Sequence, residues 1–133
     1  MKKPLIILIT LFIVKQNGVK EIKQFNDSFE QYIGKQIYGT EVTTVIGKAI
    51  KNNENYNIKK DENGFYISDD NYCIKVELNM ITVEKTYQME QLYKAGLTEF
   101  VKNFNVITFE CTNIEYHNKT GRISKIVFTQ LEE

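Results

Sequence analysis

Few side chains in this 133-residue chain have the chemistry of an active site. His117 is the single histidine, set in the polar stretch His117-Asn118-Lys119-Thr120-Gly121. Acid–base work by an imidazole needs a nucleophile or an orienting carboxylate beside it, and Glu115 is the nearest carboxylate on the same predicted strand. A lone histidine in a polar turn reads as a solvated side chain. Zinc would need three or four ligands, and one histidine with two cysteines in no Cys-x-x-Cys pair does not supply them. The acidic turns Asp61-Glu62-Asn63 and Asp69-Asp70-Asn71 carry oxygen ligands. The helix–loop–helix calcium loop, however, requires Gly at its sixth position, and Gly64 stands fourth from Asp61, so solvated turns are expected. Gly34-Lys35 and Gly47-Lys48 lack the flanking residues of a phosphate loop, and no Gly-x-Gly-x-x-Gly occurs. No catalytic, cofactor-binding or metal-binding residue is therefore assigned, and the expectation is a protein without catalytic activity. An active site would need scattered carboxylates such as Glu77, Glu110 or Glu115 to converge in one cleft.

Cys73 and Cys111 form the one candidate pair. Both fall on predicted strands that would neighbour each other in one sheet. In an exported domain they would form a disulfide worth up to about 4 kcal/mol on the loop-entropy account. In a cytosolic domain they are two small buried hydrophobes. The sequence leaves both readings open.

The elements that position these residues begin with an apolar segment. Met1-Lys2-Lys3-Pro4 precedes Leu5–Val14, and Lys15 ends the run. Two lysines followed by about ten apolar residues match the first two regions of a secretory signal. As a helix the run is about 15 Å long, short of a hydrocarbon core of about 30 Å. Gly18, with Gln16 two residues before it, is a poor cleavage site, and no cysteine follows to carry a lipid. Residues 1–18 thus read as a signal or anchor segment, with a buried strand or a core helix as the alternatives for Leu5–Val14.

Residues 19–133 read as a single α+β domain. Val19, Ile22, Phe25 (or Asn26), Phe29 and Ile33 recur at helical spacing, so an apolar helix runs into an amphipathic one that Gly34 ends. Gly39-Thr40 opens a second helix, with Thr40 as cap and Val42, Val45, Ile46, Ala49 and Ile50 on one face. Short strands follow at Tyr56–Lys60 and Phe65–Ser68 around the turn at Gly64. Tyr72, Ile74, Val76 and Leu78 alternate with polar residues in a half-buried strand. Thr86–Ala95 reads as an inserted helix, and Thr98 as the cap of a short continuation through Phe104. Val106–Tyr116 and Arg122–Leu131 form a C-terminal β-hairpin. The expected sheet is small and antiparallel.

Charge and composition exclude one partner. Seventeen Lys+Arg balance seventeen Asp+Glu, whereas a nucleic-acid binder carries a basic surplus to displace counterions. Arg122 is the single arginine, so the usual forked phosphate reader is scarce. A hydrophobic share of 42% suffices for one core. Abundant Ile, Lys and Asn with one Pro and no Trp resemble the coding bias of a low-GC bacterium.

The layout of an apolar helix running into an amphipathic one, then an α+β head, resembles that of type IV pilin-like proteins. Tyr38-Gly39-Thr40-Glu41-Val42-Thr43-Thr44-Val45-Ile46 and Tyr116-His117-Asn118-Lys119-Thr120-Gly121-Arg122-Ile123 also resemble segments of small membrane-anchored proteins from low-GC Gram-positive bacteria. Unlike pilin precursors, the chain has no Gly-ending leader before the apolar run and no Glu at its fifth position. The resemblance implies a membrane-tethered, surface-exposed structural or protein-interaction module with its head outside the cytoplasm. The alternative is a soluble cytoplasmic binding domain with Leu5–Val14 in its core.

Overall fold

The computed structural model describes residues 17–69, 71–96, 102 and 105–131. The apolar run Leu5–Val14 and most of the expected continuation from Thr98 to Phe104 lie outside them. The order is α1 (Asn17–Glu30), β1 (Gln36–Tyr38), α2 (Gly39–Asn55), β2 (Lys75–Met80), β3 (Lys85–Gln88), α3 (Met89–Ala95), β4 (Thr108–Tyr116) and β5 (Ile123–Gln130). The fold is α+β, as its sequence pattern indicates.

The five strands form one sheet in the order β1-β4-β5-β2-β3. It is mixed, which corrects the antiparallel expectation. β4 and β5 form the expected hairpin and β2 pairs antiparallel with β3, but β2 runs parallel to β5, with Val76 opposite Ile126 and Leu78 opposite Phe128. In β2 the alternation is complete: Val76, Leu78 and Met80 are buried, while Lys75, Glu77 and Asn79 are half-buried. The side-chain period of two thus sends one set to the core and the other to a polar face. That polar face is laced by Thr86 Oγ1 to Asn79 Oδ1 (2.7 Å), Asn79 Nδ2 to Thr129 Oγ1 (3.4 Å), a Thr129–Thr112 hydroxyl pair (2.8 Å) and a Lys125–Glu77 ion pair (3.0 Å).

The apolar side packs against the helices. Val42, Val45, Ile46, Ala49 and Ile50 of α2 are all buried, the face the spacing predicts, and they join Phe29, Met89, Leu92, Phe109 and the inward residues of β2 and β5 in one cluster. α2 is capped differently from the expectation. It begins at Gly39, and the Tyr38 N–H donates to Glu41 Oε1 (3.0 Å), while the Thr43 hydroxyl donates to the Thr40 carbonyl (2.6 Å). An acceptor three residues into the helix does the work assigned to Thr40.

Other boundaries also move. α1 stops at Glu30, before a turn in which Gly34 takes a positive φ of 76°. Residues 56–68 make one isolated bridge, Lys60 with Tyr66, in place of two strands. Thr86–Gln88 belongs to β3, and the helix begins only at Met89. Thr86 and Tyr87 are residue types that favour strands, and pairing with Glu77–Asn79 draws Thr86–Gln88 into the sheet.

Leu78 is fully buried between Tyr87 on β3 and Phe128 on β5. Leu78→Ala is expected to cost about 2–5 kcal/mol in urea unfolding, and Thr112→Val on the polar face less than about 1.5 kcal/mol. Equal losses at the two positions would contradict this assignment of faces.

Candidate functional site

The lone arginine is the hub of the molecule. Arg122 lies between the hairpin loop and β5, yet its residue is only 8% exposed. Its guanidinium sits 3.9 Å from the Phe25 ring centroid, 5.1 Å from Tyr56 and 5.5 Å from Tyr72, and Nη2 donates to Asn52 Oδ1 at 3.0 Å. Tyr56 and Tyr72 stack on each other at 4.3 Å, within 6° of parallel. Among the described residues, no carboxylate comes within ion-pair distance of Arg122. Burial pulls its pKa below the ordinary value, an effect the more distant Asp69 and Glu21 partly oppose; a guanidinium nonetheless stays charged. Nε is buried with no hydrogen-bond partner.

Three asparagines fix this arrangement. Asn26 of α1 donates to the Gly121 carbonyl (2.9 Å) and accepts from the Ile123 N–H (3.0 Å), bracketing Arg122 on both sides. Asn52 of α2 donates to the Tyr72 carbonyl (2.8 Å), and Asn53 donates to the Ile74 carbonyl (2.9 Å) while accepting its N–H (3.0 Å). The hairpin loop is closed by His117 N–H to the Arg122 carbonyl (2.8 Å), and the Thr120 hydroxyl donates to the Asn71 carbonyl (3.0 Å). Asp69 Oδ1 accepts the N–H groups of Asn71, Tyr72 and Cys73 at 2.7–3.0 Å. Burial alone would raise the Asp69 pKa, but these three donors outweigh it and hold the carboxyl below its usual range. Asp61 Oδ1 likewise accepts from Asn63 and Phe65. Both acidic turns therefore bind their own backbone.

His117 differs from its expected place. It is 5% exposed, and its Nε2 lies 2.7 Å from the Cys73 carbonyl. A carbonyl only accepts, so the ring carries its proton on Nε2. The imidazole pins the chain ahead of β2 to the hairpin tip and is no solvated side chain.

Cys73 is buried and Cys111 half-buried, and the two are not joined to each other. β5 lies between β4, which carries Cys111, and β2, which follows Cys73. Two strand spacings amount to about 10 Å, and a disulfide needs Cα atoms within about 7 Å. The expectation of neighbouring strands is thus corrected. Burial pushes the Cys73 thiol up to about 11. Of the scattered carboxylates, Glu77 pairs with Lys125, which lies opposite Glu115 across the ladder, while Glu110 lies further along β4 opposite Thr129. Glu77, Lys125 and Glu115 thus form a charged row across three neighbouring strands, β2, β5 and β4. Among the described residues no group of three or more His, Cys, Asp or Glu side chains could hold a metal ion.

What the arrangement offers is a groove of about 510 Å³ between α1 and α2, into whose wall Arg122 is set. Lys48, Lys51, Gln24 and Asn55 line it, with Glu21 as the one carboxylate. Lys48 Nζ bridges back to the Ser28 carbonyl of α1 (3.3 Å). Three cations against one anion make the groove electropositive within a chain of zero net charge. Of the residues around Arg122 only Asn26, a polar side chain on an apolar helical stripe, signals a buried polar contact in the sequence itself. Comparison with family models, with curated proteins and with solved structures finds no match for this chain.

Asn53→Ala leaves the Ile74 N–H and carbonyl unmet in the core, and a loss of about 3 kcal/mol is expected in denaturant unfolding. For the thiols, intact-mass measurement after mild oxidation is expected to show no loss of two hydrogens within one chain, and Cys73 is expected to resist alkylation until the protein unfolds. An intramolecular bond under oxidation would overturn the placement of the two strands.

Proposed function

We propose that this protein is a non-catalytic binding module, held at a membrane by its N-terminal apolar segment with the head outside the cytoplasm, that takes an oxyanion-bearing partner in the groove between α1 and α2. The observation that carries the reading is Arg122. As a residue it is more than nine-tenths buried, meets no carboxylate among the described residues, and forms part of the wall of an open groove. A guanidinium presents its donors in a fixed fork suited to carboxylate and phosphate oxygens. Phe25, Tyr56 and Tyr72 hold that fork in place before any ligand arrives, which reduces the ordering cost of binding. Lys51, exposed on the groove wall, and Lys48 add attraction at longer range.

The tether rests on the sequence of residues 2–14, two lysines ahead of a run of ten residues that is apolar except for Thr10. No helix among the described residues is long and apolar enough to cross a membrane.

Two measurements test the two halves separately. Cells making the full chain are expected to yield it in the membrane fraction, and protease added to intact cells is expected to cleave it; full chain free in the soluble fraction removes the tether. For the groove, phosphate or succinate is expected to raise the Tm of the detergent-solubilised full chain by a few degrees over chloride of equal ionic strength. Lys51→Glu is expected to cancel that rise while leaving the Tm in chloride nearly unchanged. Identical Tm values in phosphate, succinate and chloride would remove the oxyanion reading.

A further inference from the structure

A second buried charge stands apart from Arg122. Glu90, in the first turn of α3, has a side chain only 5% exposed. Its Oε2 accepts the Tyr66 N–H at 2.8 Å and forms an ion pair with Lys75, whose Nζ also donates to the Tyr66 carbonyl at 3.0 Å. Oε1 is buried and has no partner. A buried acceptor without a donor is a standing cost, which a donor brought by a ligand removes.

Glu90 forms part of the wall of a cavity of about 580 Å³, whose other walls include Phe65, Tyr93, Gln91, Lys60 and Ile50. The size falls within the range of small-molecule pockets. One side is a rigid turn: Asp61 accepts from Asn63 and Phe65, and Gly64 has a φ of 88°. Gln91 is fixed through its Oε1, which accepts the Gln88 N–H at 2.8 Å.

Charge selects the class of ligand. Glu90 is neutralised by Lys75, and the cavity's remaining charges, Lys60 and Glu62, cancel. A cation would have to compete with Lys75 for Glu90, and an anion would meet a buried carboxylate. The geometry points to a neutral saccharide bound here, with one hydroxyl donating to Glu90 Oε1 and a C–H face of the sugar ring against Phe65 or Tyr93. Hydroxyls supply the missing donor without net charge. The two aromatic rings supply apolar area with few rotatable bonds, and Tyr93 is 46% exposed and open to contact. This site shares no lining residue with the groove at Arg122 and stands without it.

The test is two-dimensional amide NMR of the detergent-solubilised full chain, titrated with maltose, cellobiose, lactose and N,N′-diacetylchitobiose. At least one is expected to give saturable shifts at Gly64, Phe65 and Gln91, with a Kd in the range of about 1 mM. Tyr93→Ala, a change at a half-exposed position, is expected to weaken that binding at least about tenfold with the fold retained, and Lys51→Glu is expected to leave it unchanged. No saturable shift from any of the four with folded protein would overturn the proposal. So would shifts that survive Tyr93→Ala, or equal shifts from tetramethylammonium or acetate. Glu90→Gln serves as a second variant where its spectrum shows a native fold, and undiminished saccharide binding there would likewise count against the role of Oε1.

Discussion

The structure depends on taking one guanidinium out of water. Burying an unpaired charge costs several kcal/mol, and in most proteins a carboxylate offsets it. Around Arg122 the compensation is spread over three aromatic faces and one amide oxygen. Cation–π contacts strengthen as water is excluded, so the same burial that penalises the charge improves its contacts. Each partner arrives on a different part of the chain: Phe25 on α1, Asn52 on α2, Tyr56 at the end of α2, Tyr72 in the segment before β2. Satisfying the arginine therefore fixes two helices and a loop relative to the hairpin. Asn26 makes the same demand from the backbone side, because its two hydrogen bonds fall on the residues flanking Arg122.

The parallel pairing of β2 with β5 follows from that knot. β5 leaves it at Ile123 and β2 leaves it at Lys75, two residues past Cys73, whose carbonyl His117 holds. Both chains start from the same end and pair with Lys75 opposite Lys125 and Val76 opposite Ile126. Asn53 fixes the backbone of Ile74 just before pairing begins, so the register is set by side chains outside the sheet. A one-residue slip would turn Val76 and Leu78 to the polar face. That error is blocked at two points, by apolar burial and by the asparagine clamp.

This explains what was legible in the sequence. The α2 face from Val42 to Ile50, the β4–β5 hairpin and the alternation in β2 are local patterns, and each carries its own period. The order of strands is not local. Cys73 and Cys111 looked like neighbours because nothing in either segment reveals that β5 enters between them. His117 looked like a solvated loop residue and Arg122 like the ordinary start of a strand, because their partners lie 44 and 70 positions away in the chain. Asn52-Asn53 resembled an ordinary helix ending, since asparagine favours helix ends for local reasons. Only Asn26, at an apolar position of an amphipathic helix, conflicted with its surroundings. Such local conflicts mark the places where long-range structure or function decides the residue.

The remaining conflicts separate a binding wall from a packing fault. The core holds Asn26, Asn52, Asn53, His117 and Gln130, and their hydrogen-bond partners reach 2.7–3.2 Å. Among the described residues two buried side-chain atoms lack a partner, Arg122 Nε and Glu90 Oε1. Random imperfection would strand weak groups such as amides, which are many here, before it stranded charged ones, whose isolation costs most. Both unmet atoms instead belong to charged side chains, and both side chains form part of the wall of a cavity, one flanked by lysines and the other by neutralised pairs. α2 contributes to both, through Lys51 and Asn52 on one side and Ile50 on the other. A helix whose apolar face closes the core and whose flanks border two unsatisfied charges is placed for binding as well as for stability.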